Sequence, residues 1–182
     1  MGSEMCIRDR FRGHRGNRLK TALAMGSIYE STATGKKRYF DDLIVGEEFS
    51  SRWLSADEDE MIEFARQFDP QYFHIDPEKA KESPFGQIVA SGTYTFAVWN
   101  RLNMEVNGDI AWIAGLGFND FKFPNPFLPD TPIQSTSHLV SKRESSTNPL
   151  RGLVIHEYKV RDENGITIFE CSCPALVERV TE

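Results

Sequence analysis

The segment LVIHEYKVRDENGITIFECSCPALV, residues 153–177, decides the fold because it has the pattern of two long strands joined by a tight turn. Asn164-Gly165 is the pair preferred in a two-residue type I′ hairpin turn. The predicted register pairs Asp162 with Thr167, Val160 with Phe169, Tyr158 with Cys171, His156 with Cys173, Lys159 with Glu170 and Glu157 with Ser172. One face of the hairpin is then apolar and aromatic, and the other carries a favourable charge pair. The pattern therefore predicts an antiparallel hairpin with one buried face.

A helix predicted upstream of the hairpin is apolar on nearly every side. It covers Gly92–Val106, GTYTFAVWNRLNMEV, and such a helix is normally buried. Ser91 is its predicted N-cap, so free backbone N–H groups should project from that end. Further strands are predicted at residues 48–54, 110–123 and 133–143. An antiparallel sheet preceded by one buried helix predicts an α+β fold in which the sheet wraps around that helix.

A second helix is predicted just before the polar stretch FDPQYFHID, residues 68–76. Ser55 is its predicted N-cap, with Glu58 completing a capping box. Pro70 should end it, because proline disfavours the α conformation in the residue before it. The acid, the amide and the imidazole that follow are therefore expected on a loop. Asp76 is the predicted N-cap of the next short helix.

The first 24 residues differ in character from the rest of the chain. They carry six Lys/Arg against two acids and show no hydrophobic periodicity. MCIRDR, residues 5–10, resembles the translation of a transposon end used in preparing sequencing libraries, and a mitochondrial transit peptide is the alternative. Residues 1–24 are therefore predicted to be a non-native or disordered leader, with Met25 as the start of a single domain covering residues 25–182.

The charge balance argues against nucleic acid as a partner. Without residues 1–24, the chain holds 15 Lys/Arg and 25 Asp/Glu, a net charge of −10, whereas nucleic-acid binding favours a basic face. No apolar run is as long as the roughly 18 residues that a membrane-spanning helix needs. The three cysteines, Cys6, Cys171 and Cys173, form no CxxC pair and have no histidine at metal-ligand spacing. These features predict a cytoplasmic protein with no membrane segment, disulfide framework or metal site.

The chain resembles the MaoC-type dehydratase family, the hot dog-fold group that includes the (R)-specific enoyl-CoA hydratases. The family motif D-x-N-P-x-H is matched in its acid-to-imidazole spacing by DPQYFH at residues 69–74. The similarity continues through FGQIVASGTYT at residues 85–95 and GLGFNDFKFPNPFLPDTPI at residues 115–133. It extends from about Tyr39 to the end of the chain.

The resemblance implies a hot dog fold and a hydro-lyase that acts on an enoyl thioester. The motif's acid falls on Asp69 and its imidazole on His74, which would activate water and deliver a proton to carbon. The helix-start glycine falls on Gly92, whose N–H would bind the thioester oxygen. The amide position holds Gln71 in place of the usual Asn, and the proline position holds Tyr72. The candidate site residues are Asp69, His74 and Gly92 for catalysis, and Gln71 and Ser91 for substrate binding. The resemblance further implies a homodimer, an acyl-CoA or acyl-carrier-protein substrate, and no cofactor.

The chemistry of hydration calls for the same three groups. Adding water to an α,β-unsaturated thioester requires a base for water, an acid for the α-carbon and a donor for the oxyanion. An Asp–His pair supplies the first two, and a helix N-terminus supplies the third. Two alternatives remain: a hot dog-fold thioesterase, in which water attacks the carbonyl, and a non-catalytic acyl-thioester binding protein. Taken singly, Asp69 is an ordinary turn residue and His74 a structural histidine.

Overall fold

Residues 36–180 are described in the computed structural model, and they contain six strands, four α-helices and a short 3-10 helix at Phe40–Asp42. The strands are β1 (Glu48–Ser50), β2 (Trp112–Gly115), β3 (Asn119–Lys122), β4 (Ile133–Glu144), β5 (Arg151–Asp162) and β6 (Thr167–Glu178). The helices are α1 (Glu58–Phe68), α2 (Tyr72–Ile75), α3 (Pro77–Ala80) and α4 (Gly92–Asn107). The leader predicted for residues 1–24 lies outside the described residues, as do residues 25–35 and 181–182 of the predicted domain.

The strands form one antiparallel sheet in the order β1-β4-β5-β6-β2, and β3 also pairs with β6. Burial alternates along β4 and β5, so one face of the sheet packs on the core and the other meets solvent. Five of the six predicted hairpin pairs are confirmed, including Val160 with Phe169 and Lys159 with Glu170. The sheet face was therefore predicted correctly from the alternation of the sequence.

The predicted type I′ turn is wrong, and so is the pairing of Asp162 with Thr167. Among the described non-glycine residues, positive φ occurs at two positions outside this hairpin, so Asn164 does not take the left-handed conformation that a type I′ turn requires. The Asp162 carboxylate accepts the backbone N–H groups of Asn164 at 3.0 Å and Ile166 at 2.8 Å. Gly165, with φ 81°, donates its N–H to the Asp162 carbonyl. This arrangement makes a three-residue loop that places Thr167 opposite Arg161, and the register shift between Arg161 and Val160 then restores the predicted pairs.

Helix α4 lies against the inner face of the sheet, which confirms the predicted α+β architecture. Trp99 and Leu102 of α4 are almost completely buried, as are Val160 of β5 and Phe169 of β6. These side chains belong to one core cluster that joins the helix to three strands. Their burial removes large apolar surfaces from water and supplies much of the driving force for folding.

Three predicted boundaries are corrected by tertiary contacts. Asp57, not Ser55, is the N-cap of α1, and its carboxylate accepts the Glu60 N–H at 2.7 Å. The chain before it is still extended, because Leu54 exchanges backbone hydrogen bonds with Ile133 of β4. Two predicted strands are also corrected. The strand predicted at residues 110–123 is two short strands, β2 and β3, separated by a break at Gly117, whose φ is 146°. The first predicted strand ends at Ser50, with an isolated bridge at Leu54.

Candidate active site

Asp69 and His74 are brought together by the end of α1 and the single turn of α2. Asp69 is the C-cap of α1, and its N–H still donates to the Ala65 carbonyl at 2.8 Å. Pro70 follows and prevents the helix from continuing. The chain then folds back through α2, which places the Asp69 Oδ2 atom 3.8 Å from the His74 Nε2 atom. The expectation of a loop is corrected here, because His74 lies on a helical turn.

The imidazole of His74 is oriented by a hydrogen bond to the backbone. Its Nδ1 atom lies 2.7 Å from the Val89 carbonyl oxygen, and the residue is 6% exposed. Because a carbonyl can only accept, Nδ1 carries the proton and the Nε2 atom of the neutral ring carries the lone pair. That lone pair lies on the side of the ring that faces Asp69. The separation of 3.8 Å exceeds a direct hydrogen bond, so Asp69 does not accept a proton from or donate one to Nε2 directly.

Gln71, a predicted substrate-binding residue, contacts the candidate acid. Its side-chain amide donates to Asp69 Oδ1 at 2.9 Å, and its backbone N–H donates to the Asp69 carbonyl at 2.8 Å. One carboxylate oxygen is thus engaged by the amide, and the other faces the imidazole. Tyr72, at the family's proline position, is 44% exposed and begins α2. The direct contact between Gln71 and substrate remains a prediction.

Ser91 is the N-cap of α4, as predicted. Its Oγ accepts the Tyr94 N–H at 3.1 Å, and its carbonyl accepts the Thr95 N–H at 3.0 Å. The residue is completely buried, and its hydroxyl also lies 3.0 Å from the Thr93 hydroxyl. The cap therefore leaves the Gly92 N–H as a first-turn donor with no acceptor inside the helix. A substrate contact by Ser91 itself remains a prediction, and its observed bonds are all within this helix start.

The Asp–His pair and the helix start are joined by one short segment. Val89, which accepts the His74 hydrogen bond, precedes Gly92 by three residues and donates its own N–H to the Phe73 carbonyl at 3.3 Å. The next N–H, of Ala90, donates to the Phe127 carbonyl at 2.9 Å. These bonds hold the beginning of α4 beside α2. The sequence-predicted catalytic residues Asp69, His74 and Gly92 therefore lie in one region.

Phe123 was missed from the sequence. Its ring lies against Gly92, so that a Cβ atom at Gly92 would be 3.1 Å from the Phe123 Cε2 atom. The contact joins the end of β3 to the start of α4, and no local pattern signals it. The only sequence feature that could have indicated this contact is Gly92 itself, because a glycine allows another group to approach the backbone closely.

The remaining buried histidine, His156, lies away from the candidate site and confirms its prediction as a core, cross-strand residue. It pairs with Cys173 across the sheet, and its ring stacks on Tyr158 and contacts Trp112. Burial, reinforced by the nearby Arg38 charge, lowers the pKa of His156 to about 4. In residues 36–180, no group of three or more His, Cys, Asp or Glu side chains could hold a metal ion. None of the helices there is long and apolar enough to cross a membrane.

Two curated relatives are 31% identical to the chain. One, an uncharacterized Bacillus subtilis protein named YdeM, aligns over 141 residues, 76% of this chain and 98% of its own length. The other, the 3-hydroxyacyl-thioester dehydratase Z of Mycobacterium tuberculosis, aligns over 108 residues, 57% of this chain and 71% of its own length.

Solved structures share the fold. The MaoC-like dehydratase from Rhodospirillum rubrum superposes with a TM-score of 0.75 at 29% identity, covering 80% of this chain and 99% of its own. The (R)-hydratase PhaJ1 from Pseudomonas aeruginosa superposes with a TM-score of 0.61 at 16% identity, covering 79% of this chain and 92% of its own. The second likeness supports the hot dog fold alone. The MaoC-like domain model matches residues 42–157, and the chain belongs to this family.

Proposed function

We propose that the protein is a hydro-lyase that adds water to, or removes it from, the α,β double bond of an enoyl thioester. The observation that carries the proposal is the placement of Asp69 Oδ2 3.8 Å from His74 Nε2, with the His74 Nδ1 atom bonded to the Val89 carbonyl. The printed names of the Mycobacterium tuberculosis and Rhodospirillum rubrum relatives, a 3-hydroxyacyl-thioester dehydratase and a MaoC-like dehydratase, support the same reaction class.

In the proposed hydration, the two side chains act on one water molecule. The Asp69 carboxylate orients it, and the His74 Nε2 lone pair accepts one of its protons. The hydroxide oxygen bonds to the β-carbon, and the π electrons move toward the thioester oxygen. The protonated Nε2 then donates its proton to the α-carbon, which returns the imidazole to its neutral form. Dehydration follows the same steps in reverse.

The developing charge on the thioester oxygen calls for a donor that is already in place. Gly92 supplies its N–H at the positive end of α4, a helix of 16 residues. A preorganised backbone donor of this kind stabilises an oxyanion without reorganising during the reaction. The roles proposed for Gln71 and Ser91 follow from their contacts. The Gln71 side-chain amide fixes the orientation of the Asp69 carboxylate. Ser91 accepts the Tyr94 N–H and so fixes the first turn of α4, from which the Gly92 N–H points toward substrate.

The first experiment runs two assays in parallel. One measures the loss of the conjugated-thioester absorbance of crotonyl-CoA, and the other measures the release of free CoA from butyryl-CoA. We expect decay of the first signal and no free CoA from the second. Free CoA from butyryl-CoA without hydration would instead identify a thioesterase. If neither signal changes across short, long and branched acyl chains on CoA and on acyl carrier protein, the enzymatic proposal fails, and binding of acyl-CoA without turnover would then identify an acyl-thioester binder.

A homodimer in the cytoplasm is the proposed working form. Large apolar side chains along β2, β3 and the residues between them are 41–55% exposed: Ile113, Leu116, Phe118 and Phe121. Exposed apolar surface of this extent is typical of a protein interface. Light scattering should give twice the mass of one chain, and Leu116→Asp should reduce that mass to one chain. The control, Ile166→Asp at the hairpin turn, should remain dimeric. A monomeric wild-type protein would contradict the assembly.

A further inference from the structure

The ring of Phe123 forms a wall directly beside the backbone of Gly92. A Cβ built on Gly92 would lie 3.1 Å from Cε2 and 3.3 Å from Cζ of this ring, closer than side chains normally pack. The absence of a Cβ at Gly92 is what allows the ring to approach the first residue of α4. The contact therefore connects the proposed oxyanion donor with an aromatic side chain at the end of β3.

Two neighbouring aromatic rings hold Phe123 in position. The ring of Phe121 lies 5.2 Å away at an interplanar angle of 82°, and the ring of Phe169 lies 5.4 Å away at 39°. Phe169 is completely buried in the core, so it provides a fixed support. Phe123 itself is 42% exposed. Its ring is thus supported on the core side and accessible on the other.

We propose that Phe123 is a positioning residue for the reaction, a role that rests on the proposed function. Its ring fills the space where a Gly92 side chain would stand, and so limits the positions that a thioester carbonyl can take beside the Gly92 N–H. An aromatic ring has no group that competes for the N–H as a strong acceptor. It also excludes water, and a hydrogen bond to a developing oxyanion is stronger where water is excluded.

The first test compares Phe123→Ala with Phe49→Ala, using hydration of crotonyl-CoA. Phe49 is a fair control because it is 40% exposed and its ring contacts Arg38 at the opposite edge of the sheet. Phe123→Ala should lower kcat by roughly tenfold with a smaller change in KM, since misplacing the reacting group costs turnover. Phe49→Ala should stay within about twofold of wild type. Phe123→Leu, which keeps an apolar wall, should recover most of the lost turnover.

The second test measures the coupling between the two residues. Gly92→Ala keeps the backbone N–H, but its methyl group meets the Phe123 ring, so both kcat and Tm should fall. In a Phe123→Ala background, the added methyl group would enter the space that the Phe123 ring occupies in the wild type. Gly92→Ala should then have little effect on kcat or Tm. Equal effects of Gly92→Ala in both backgrounds would overturn the proposed contact.

The outcomes separate this role from the reaction itself. Hydratase activity in the wild type with no greater loss in Phe123→Ala than in Phe49→Ala would overturn the role of Phe123 and leave the proposed function standing. A wild-type protein that hydrates no enoyl thioester would overturn both. Coupling between Gly92 and Phe123 in Tm together with coupling in kcat would support the proposal.

Discussion

Asp69→Asn should lower kcat for crotonyl-CoA hydration by about 10²–10⁴-fold, the range of general acid–base catalysis, because His74 acts on a water molecule that Asp69 orients. The amide keeps the size of the side chain but removes the negative charge beside His74, so the water molecule loses an acceptor and the imidazolium loses its counter-charge. The exposed end of α1 should tolerate the substitution, and Tm should change little. Stopped-flow or steady-state absorbance measurements report the change directly.

The matched control is Asp76→Asn, the same substitution a few residues along the chain. Asp76 caps α3 through the N–H groups of Glu78 and Lys79, both at 3.2 Å, and an asparagine can accept the same hydrogen bonds. This variant should keep wild-type kcat. Near-wild-type turnover in Asp69→Asn, or equal losses in the two variants, would contradict the assignment of Asp69.

Acidification should destabilise the fold through His156. The folded-state pKa is about 4, below the ordinary value of 6.5, because burial and the Arg38 charge disfavour the protonated ring. The unfolded chain therefore binds a proton first as the pH falls, and stability decreases from about pH 6.5 down through about pH 4. The full effect is about 3 kcal/mol, since each pKa unit corresponds to about 1.4 kcal/mol. The titratable or charged groups around the ring are Arg38, Glu47, His138, Tyr158 and Cys173.

The corresponding measurement is the free energy of unfolding at about pH 7.5 and about pH 5, for wild type and His156→Phe. The phenylalanine ring keeps the contacts with Tyr158 and Trp112 but cannot bind a proton. The loss of stability between these two pH values should be smaller in the variant by about 2 kcal/mol. An unchanged loss would show that other groups control the acid response.

Local patterns predicted the parts of the fold that local chemistry determines. Alternation along β5 and β6 predicted the buried face and five residue pairs, because a one-residue shift would reverse every side chain. The turn was mispredicted because the Asp162 carboxylate organises it, which outweighs the preference of Asn164-Gly165 for a type I′ turn. Helix α1 begins two residues later than its Ser55 signal because Leu54 is still paired with Ile133.

The site was predictable where its residues are close in sequence and less so where they are distant. The spacing of Asp69 and His74 already suggested a pair, and Ser91 signalled a helix start. The hydrogen bond from His74 to Val89 and the contact of Phe123 with Gly92 depend on how separate elements pack. No periodicity or capping rule describes such contacts, so they became visible in the three-dimensional arrangement.

The single segment that carries Asp69, His74 and Gly92 has a consequence for gene duplication. The three long strands β4, β5 and β6 contribute none of these three groups, so the sequence of the sheet and that of the candidate site can change independently. In a duplicated copy of the domain, the segment could lose its acid and imidazole while the strand pairing of the sheet stayed intact.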